Sequence, residues 1–192
     1  MAGRPRSFDR DAALATAVEL FWRRGFDRTS IAELTEATGV NPPSLYAAFG
    51  DKQALFEEAA GVYFARTCDG VDAAAQLSDT RASIARLLDD TARAHTDAST
   101  PPGCLLLTEP RLASQREVVQ DKIRQRLDRG VSEGDLPAST DTAALAAYIV
   151  AVMRGMSGMA RDGGTREQVR AVAATALAAL PPTGSAPRPA TG

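Results

Sequence analysis

Between Thr29 and Lys52 the chain gathers side chains suited to holding a polar polymer rather than to breaking bonds. Thr29 and Ser44 carry hydroxyls, Asn41 a carboxamide, Tyr46 a phenol and Lys52 an ammonium, the groups that hydrogen-bond phosphate oxygens and base edges. Pro43 and Ala47 add small apolar surfaces of the kind that meets a thymine methyl group. Arg, Lys, Gln and Asn, which make bidentate contacts to guanine or adenine, do not occur from Pro42 to Phe49. Direct base reading is therefore expected to be sparse, resting on Ser44, Pro43 and Ala47. Arg4 and Arg6, upstream, could enter a minor groove and respond to its width. The alternative for both is a solvated terminus. No Ser/His/Asp set, phosphate loop or paired-carboxylate motif is visible, so nothing in the sequence favours an enzyme.

These side chains need a rigid frame, and the punctuation of the same stretch supplies one. Thr29 and Ser30 offer capping hydroxyls, and Glu33 stands three residues after Ser30 as a capping-box partner. Ile31, Leu34 and Ala37 form an apolar stripe that would pack inward. Gly39 suits the end of that helix, Asn41 can cap the next, and Pro42 fits a first helical position. Leu45 and Phe49, four apart, face the core, which leaves Ser44 and Tyr46 to point outward. Gly50 ends the second helix and Asp51 caps a further one. Two short helices meeting at Gly39-Val40-Asn41 form a helix-turn-helix, the unit that lays one helix in the major groove of DNA. The plainer reading is an ordinary helical hairpin in an all-α protein.

The order Phe21-x3-Gly25-Phe26, Thr29-Ser30-Ile31, Ala37-x-Gly39-Val40, Leu45-Tyr46-x2-Phe49 and Lys52-x2-Leu55 resembles the N-terminal domain of the TetR-type (tetracycline-repressor-like) transcriptional regulators. The likeness spans roughly residues 7–63. Leu45-Tyr46-Ala47-Ala48-Phe49-Gly50-Asp51-Lys52 resembles one branch of that family, with Ala48 where the commoner pattern has a histidine or an aromatic residue, and Gly103-Cys104-Leu105-Leu106 is similar to the C-terminal domain of the same branch. The resemblance implies that Thr29, Tyr46 and Lys52 hold phosphates, that the protein is a homodimer, and that its partner is double-stranded operator DNA.

The charge distribution bears on this reading. Over 192 residues the 22 Lys and Arg and 24 Asp and Glu leave a net charge of −2. From Met1 to Lys52 there are seven bases and seven acids, so the DNA-binding segment is neutral in sum, which argues against strong non-specific binding. Positive charge is local instead, with Arg4, Arg6 and Arg10 in an N-terminal arm and Lys52 beside the reading helix. Two cysteines, Cys68 and Cys104, do not make a disulfide framework in a chain this long. No basic-then-apolar leader opens the sequence, and the apolar run Ala143–Met153 is too short to span a bilayer, so a cytoplasmic protein with no membrane partner is expected.

Helical periodicity continues to the end of the chain, giving an all-α fold: an N-terminal three-helix domain over residues 1–50, a C-terminal helical dimerisation and ligand domain over 51–180, and a disordered tail over 181–192, rich in Pro, Gly, Ser and Thr. Helices are expected near residues 10–24, 51–70, 80–96, 104–108, 114–133, 142–162 and 166–180, besides the central pair. In the last two long ones, small residues form a second stripe: Ala147, Ala151 and Gly158, then Ala171, Ala174 and Ala178. Leu145, Tyr148, Ile149, Val152 and Met156 form the core-facing stripe. A helix apolar on two faces needs two partners, and the second is expected to be another copy of the chain. The competing reading buries both faces within one chain.

Leu88, Thr91, His95, Cys104, Met153 and Met156 mark the expected wall of a small-molecule effector site, hydrophobic or amphipathic in its ligand. Each has a plain reading too: His95 as a helix-end residue, Cys104 as a small core residue, the methionines as core filler. Arg154 either pairs with an acid at the seam or meets an anionic effector. Cys68, His95 and Cys104 lack metal-ligand spacing, and no metal or cofactor is expected. The function expected is a DNA-binding regulator, a homodimeric repressor released from a palindromic operator by a small apolar effector. The alternative is a helical enzyme or scaffold with a vestigial helix-turn-helix.

Overall fold

A computed structural model describes residues 8–182 of the chain. Arg4, Arg6 and the tail from residue 183 onward lie outside the described residues. All regular structure within them is helical. Ten segments follow in order: α1 (Arg10–Arg24), α2 (Ile31–Thr38), α3 (Pro42–Phe49), α4 (Lys52–Ala75), α5 (Thr80–His95), α6 (Leu105–Thr108), a 3₁₀ turn (Pro110–Leu112), α7 (Ala113–Ser132), α8 (Thr142–Arg161) and α9 (Arg166–Ala178).

Two compact units divide between Ala65 and Arg66, inside α4. The first unit thus takes in the opening turns of α4, which the sequence division at 50/51 assigned to the second domain. The physical reason is burial: Leu55, Phe56, Ala59 and Ala60 are all closed off from solvent. The Phe56 ring meets Phe21 edge-on at 5.1 Å and Phe26 at 5.0 Å between centroids. Trp22 and Tyr63 form a further edge-on pair at 4.9 Å.

Helix α4 also runs past Gly70, where an end was expected. Glycine costs a helix roughly 1 kcal/mol relative to alanine. Val71 and Ala74, just beyond it, are buried, and that gain offsets the glycine.

In the second unit α5 packs on α9 and α8, α8 lies between α7 and α9, and α6 rests on α8. Ile84, Leu88, Ile123, Leu127, Ile149 and Met156 form its centre. The apolar run from Ala143 proves to be part of a 20-residue helix, α8, long and apolar enough by length and composition to cross a membrane. Ala146, Ile149, Val150, Met153 and Met156 on that helix are buried among its neighbours. Tyr148 departs from the expected core stripe and is 40% exposed.

The unit also buries a charge that the sequence did not announce. Arg126 is 3% exposed, its guanidinium donating to Thr80 Oγ1 at 2.7 Å and to the carbonyls of Ser78 and Leu77. Thr80 in turn donates to Asp135 from its hydroxyl and its backbone N–H, both at 2.8 Å. Those two bonds hold the Asp135 carboxyl below the ordinary carboxylate range, and Arg126 at 3.7 Å adds to the effect. Gly130 is needed beside them, because a Cβ there would land on the Thr80 hydroxyl.

Candidate nucleic-acid interface

Helix α2 opens on the full capping box: Ser30 Oγ accepts from the Glu33 N–H, and Glu33 Oε2 accepts from the Ser30 N–H at 2.8 Å. The Ser30 backbone N–H, then its hydroxyl, hold the Glu33 carboxyl below the usual range, with Arg24 and Lys52 contributing. Leu34 is fully buried, Ile31 half-buried, and Ala37 is exposed, so the inward stripe is narrower than expected. An eight-residue helix presents only two turns to its neighbours, and Ala37 falls at the edge of that contact.

Gly39 sits at φ +67°, the left-handed conformation that lets α2 stop and the chain turn. The Asn41 side chain then accepts the Ser44 N–H at 2.9 Å, capping α3, with Pro42 and Pro43 in its first turn. Leu45 and Phe49 anchor α3 inward at 2% and 6% exposure. Rigidity of the anchor aims the opposite face: Pro43, Tyr46 and Ala47 are exposed and Ser44 half-buried, with Tyr46 at 46%. Pro43, Ser44, Tyr46 and Ala47 therefore share one short outward surface, and Asn41 lies exposed at its start.

Two residues expected to hold phosphates make contacts within the first unit. Thr29 is buried, its hydroxyl donating to the Gly25 carbonyl at 2.7 Å and its N–H to the Phe26 carbonyl at 3.2 Å. Both of its donors are spent on shaping the α1–α2 turn. Lys52 is half-buried with Nζ 4.1 Å from the Phe26 ring centroid, a cation–π contact. Arg10, counted with the basic arm, belongs to α1 and is tied down: it pairs with both oxygens of Glu58 and donates to the Ala48 carbonyl. The sequence offered no signal for that pair, whose members stand 48 residues apart.

The candidate effector residues lie elsewhere, in the second unit. Leu88, Thr91, His95, Cys104, Met153 and Met156 are all buried. The Gly103 N–H donates to the His95 carbonyl at 2.9 Å and the Cys104 N–H to Ser157 Oγ at 2.8 Å, which brings the end of α5 and the start of α6 onto α8. Burial pulls the His95 imidazole down to about 4, and the Arg161 charge adds to it. Arg154 is exposed, and its charge reinforces the burial that lowers the Arg116 guanidinium pKa.

Of the small-residue stripe, Ala147, Ala151, Ala171, Ala174 and Ala178 are exposed in the single chain and Gly158 is half-buried. A groove of about 540 Å³ lies at one end of it, lined by Pro137, Thr140, Asp141, Leu145, Tyr148 and Pro181.

A capped two-helix unit with a tight glycine turn and an outward face of proline, tyrosine and alanine defines a helix-turn-helix transcriptional regulator. The chain belongs to the TetR family: residues 13–59 match the family model described as "Bacterial regulatory proteins, tetR family". It is 34% identical to the HTH-type transcriptional repressor ComR of Escherichia coli (strain K12), over 93% of this chain and 92% of that protein. With the HTH-type transcriptional repressor BdcR of the same organism it shares 32% identity, again over 93% and 92%. Among solved structures, a cysteine-substituted variant of the TetR family transcriptional regulator CifR, complexed with 26-base-pair double-strand operator DNA, superposes with a TM-score of 0.81. That pair is 38% identical over 93% of this chain and all of the other.

Proposed function

We propose that this chain is a cytoplasmic, homodimeric repressor whose α3 enters the major groove of a palindromic operator. One observation carries the reading: α3 is anchored by buried Leu45 and Phe49 and turns Pro43, Tyr46 and Ala47 to solvent. The identity shared with two proteins named as transcriptional repressors, and with one solved on operator DNA, supports it. Tyr46 and Lys52 hold phosphates, Asn41 and Ser44 add polar contacts, and Pro43 and Ala47 meet thymine methyls. Arg4 and Arg6 track the minor groove.

Dimerisation follows through the exposed small-residue faces of α8 and α9, giving the two-fold symmetry of a palindromic site. A small apolar or amphipathic effector releases the DNA by occupying the region of Leu88, Thr91, Met153 and Met156, with His95 and Cys104 at its edge. A ligand there acts only by favouring one packing of these helices over another. The same reading assigns no catalytic role to the chain.

DNase I footprinting on the region upstream of the protein's own gene tests this. The expected result is a protected two-fold-symmetric site, lost on Tyr46→Ala. Absence of protection there and in a pool of random duplexes would overturn the reading. For the effector, Thr91→Trp fills the region and is expected to abolish release by an inducer found in a small-molecule screen while leaving the footprint intact.

A further inference from the structure

Arg10 makes four polar contacts and one ring contact inside the N-terminal unit. Its Nη1 and Nη2 reach Glu58 Oε1 and Oε2 at 2.6 and 2.7 Å, a two-pronged pair with α4. Its Nε and Nη2 donate to the Ala48 carbonyl at 3.4 and 3.3 Å. The guanidinium carbon stands 4.4 Å from the centroid of Phe49, the last residue of α3. Carbonyls in the last turn of a helix lack intrahelical partners and carry partial negative charge, so a cation there is favoured twice over.

The first residue of α1 therefore fastens the end of α3 to α4. Helix α3 has only eight residues, too few to hold a direction by its own hydrogen bonds. Its start is held by the Asn41 cap and its inner face by Leu45 and Phe49. Arg10 supplies the hold on its far end. Resting on the DNA-binding reading above, we infer that Arg10 and Glu58 are positioning residues: together they set the angle of α3, and Arg10 does not serve as a phosphate ligand.

The two roles make opposite predictions. Were Arg10 a phosphate contact restrained by Glu58, removing the carboxylate would free it and strengthen binding. As a clamp, the pair fails when either half is lost. Arg10 and Glu58 side chains are 45% and 36% exposed, so the pair adds little to global stability and the variants are expected to fold.

The test measures fluorescence anisotropy of a labelled duplex, selected from a random pool by the wild-type protein, across a salt series. Arg10→Met and Glu58→Gln are each expected to weaken binding about three- to tenfold, in the lower part of the range for coupled residues in contact. The double variant should be no weaker than the worse single one, and the salt slope should match wild type. Arg10→Lys keeps the charge but not the fork, and is expected to stay weak. Thermal melts check folding, and if Arg10→Met melts early the Glu58→Gln and Arg10→Lys results decide.

Tighter or unchanged binding by Glu58→Gln, rescue by Arg10→Lys, or a salt slope reduced by about one on loss of Arg10, the loss of a single phosphate contact, would overturn the clamp. A wild-type protein that selects no duplex would overturn the DNA-binding reading, and the clamp with it.

Discussion

Asn41 and Ser44 are joined at the entrance to α3 by a 2.9 Å bond from the Ser44 backbone N–H to the Asn41 side-chain oxygen. The oxygen is thereby occupied and only the amide group of Asn41 remains to reach a phosphate. Asn41→Asp keeps the cap and places an anion against the DNA backbone. Its melting temperature should match wild type while operator affinity falls. Asn41→Ala loses the cap and is expected to cost about 1 kcal/mol of stability by chemical denaturation.

Tyr46 is the largest exposed side chain on α3. Tyr46→Ala is expected to reduce operator affinity with no change in melting or oligomeric state. Lys52→Met, which keeps apolar packing on Phe26, should do the same more cleanly than Lys52→Ala. Because the segment up to Lys52 carries as many acids as bases, few phosphates are expected to be neutralised. The slope of log affinity against log salt should be shallower than about −9, the value for ten phosphate contacts. A steeper slope in a salt titration would contradict this account of the interface.

Ala151 is exposed on α8, at the centre of the small-residue stripe. Ala151→Glu would bring two carboxylates together at a two-fold seam without partners. Analytical ultracentrifugation should then find monomer, and DNA affinity should fall with it. An unchanged dimer would move the seam to another surface.

Gly130 stands against Thr80, within the network that pairs Arg126 and Asp135. Gly130→Ala forces the Thr80 hydroxyl aside and strains the bonds it makes. An overpacked site of this kind costs about 1–3 kcal/mol, readable as a lower urea midpoint. Val131→Ala, next along the same helix and half-buried, serves as the comparison.

His95 is buried with its pKa pulled from 6.5 to about 4, so the folded chain binds fewer protons than the unfolded one between those values. The sign follows: stability is whole above pH 6.5, falls as pH drops through this window, and the loss is complete below about 4. A shift of this size corresponds to roughly 3 kcal/mol. His95→Gln should flatten the part of the acid-unfolding profile that His95 causes, measured as denaturation midpoint against pH.

Local chemistry was legible in the amino-acid order. Ser30 with Glu33, Asn41 with Ser44, Asp141 with Ala144 and Thr165 with Gln168 are contacts across three residues, so cap and helix are written side by side. Gly39 and the stripe from Leu45 to Phe49 announced the helix-turn-helix for the same reason. Other features depended on what the chain brought together at long range. Thr29 reads as a free hydroxyl until Gly25 is seen to take it, and Ala37 reads as core until α2 proves too short to bury it. Gly70 reads as a stop until Val71 and Ala74 are seen to be buried. Arg10 with Glu58 and Arg126 with Thr80 are separated by 48 and 46 residues, and no periodicity links them. Capping and amphipathicity act within a turn or two and leave their mark in sequence; the choice of partner for a charged side chain is made by the packing of whole helices, and only the tertiary structure decided it.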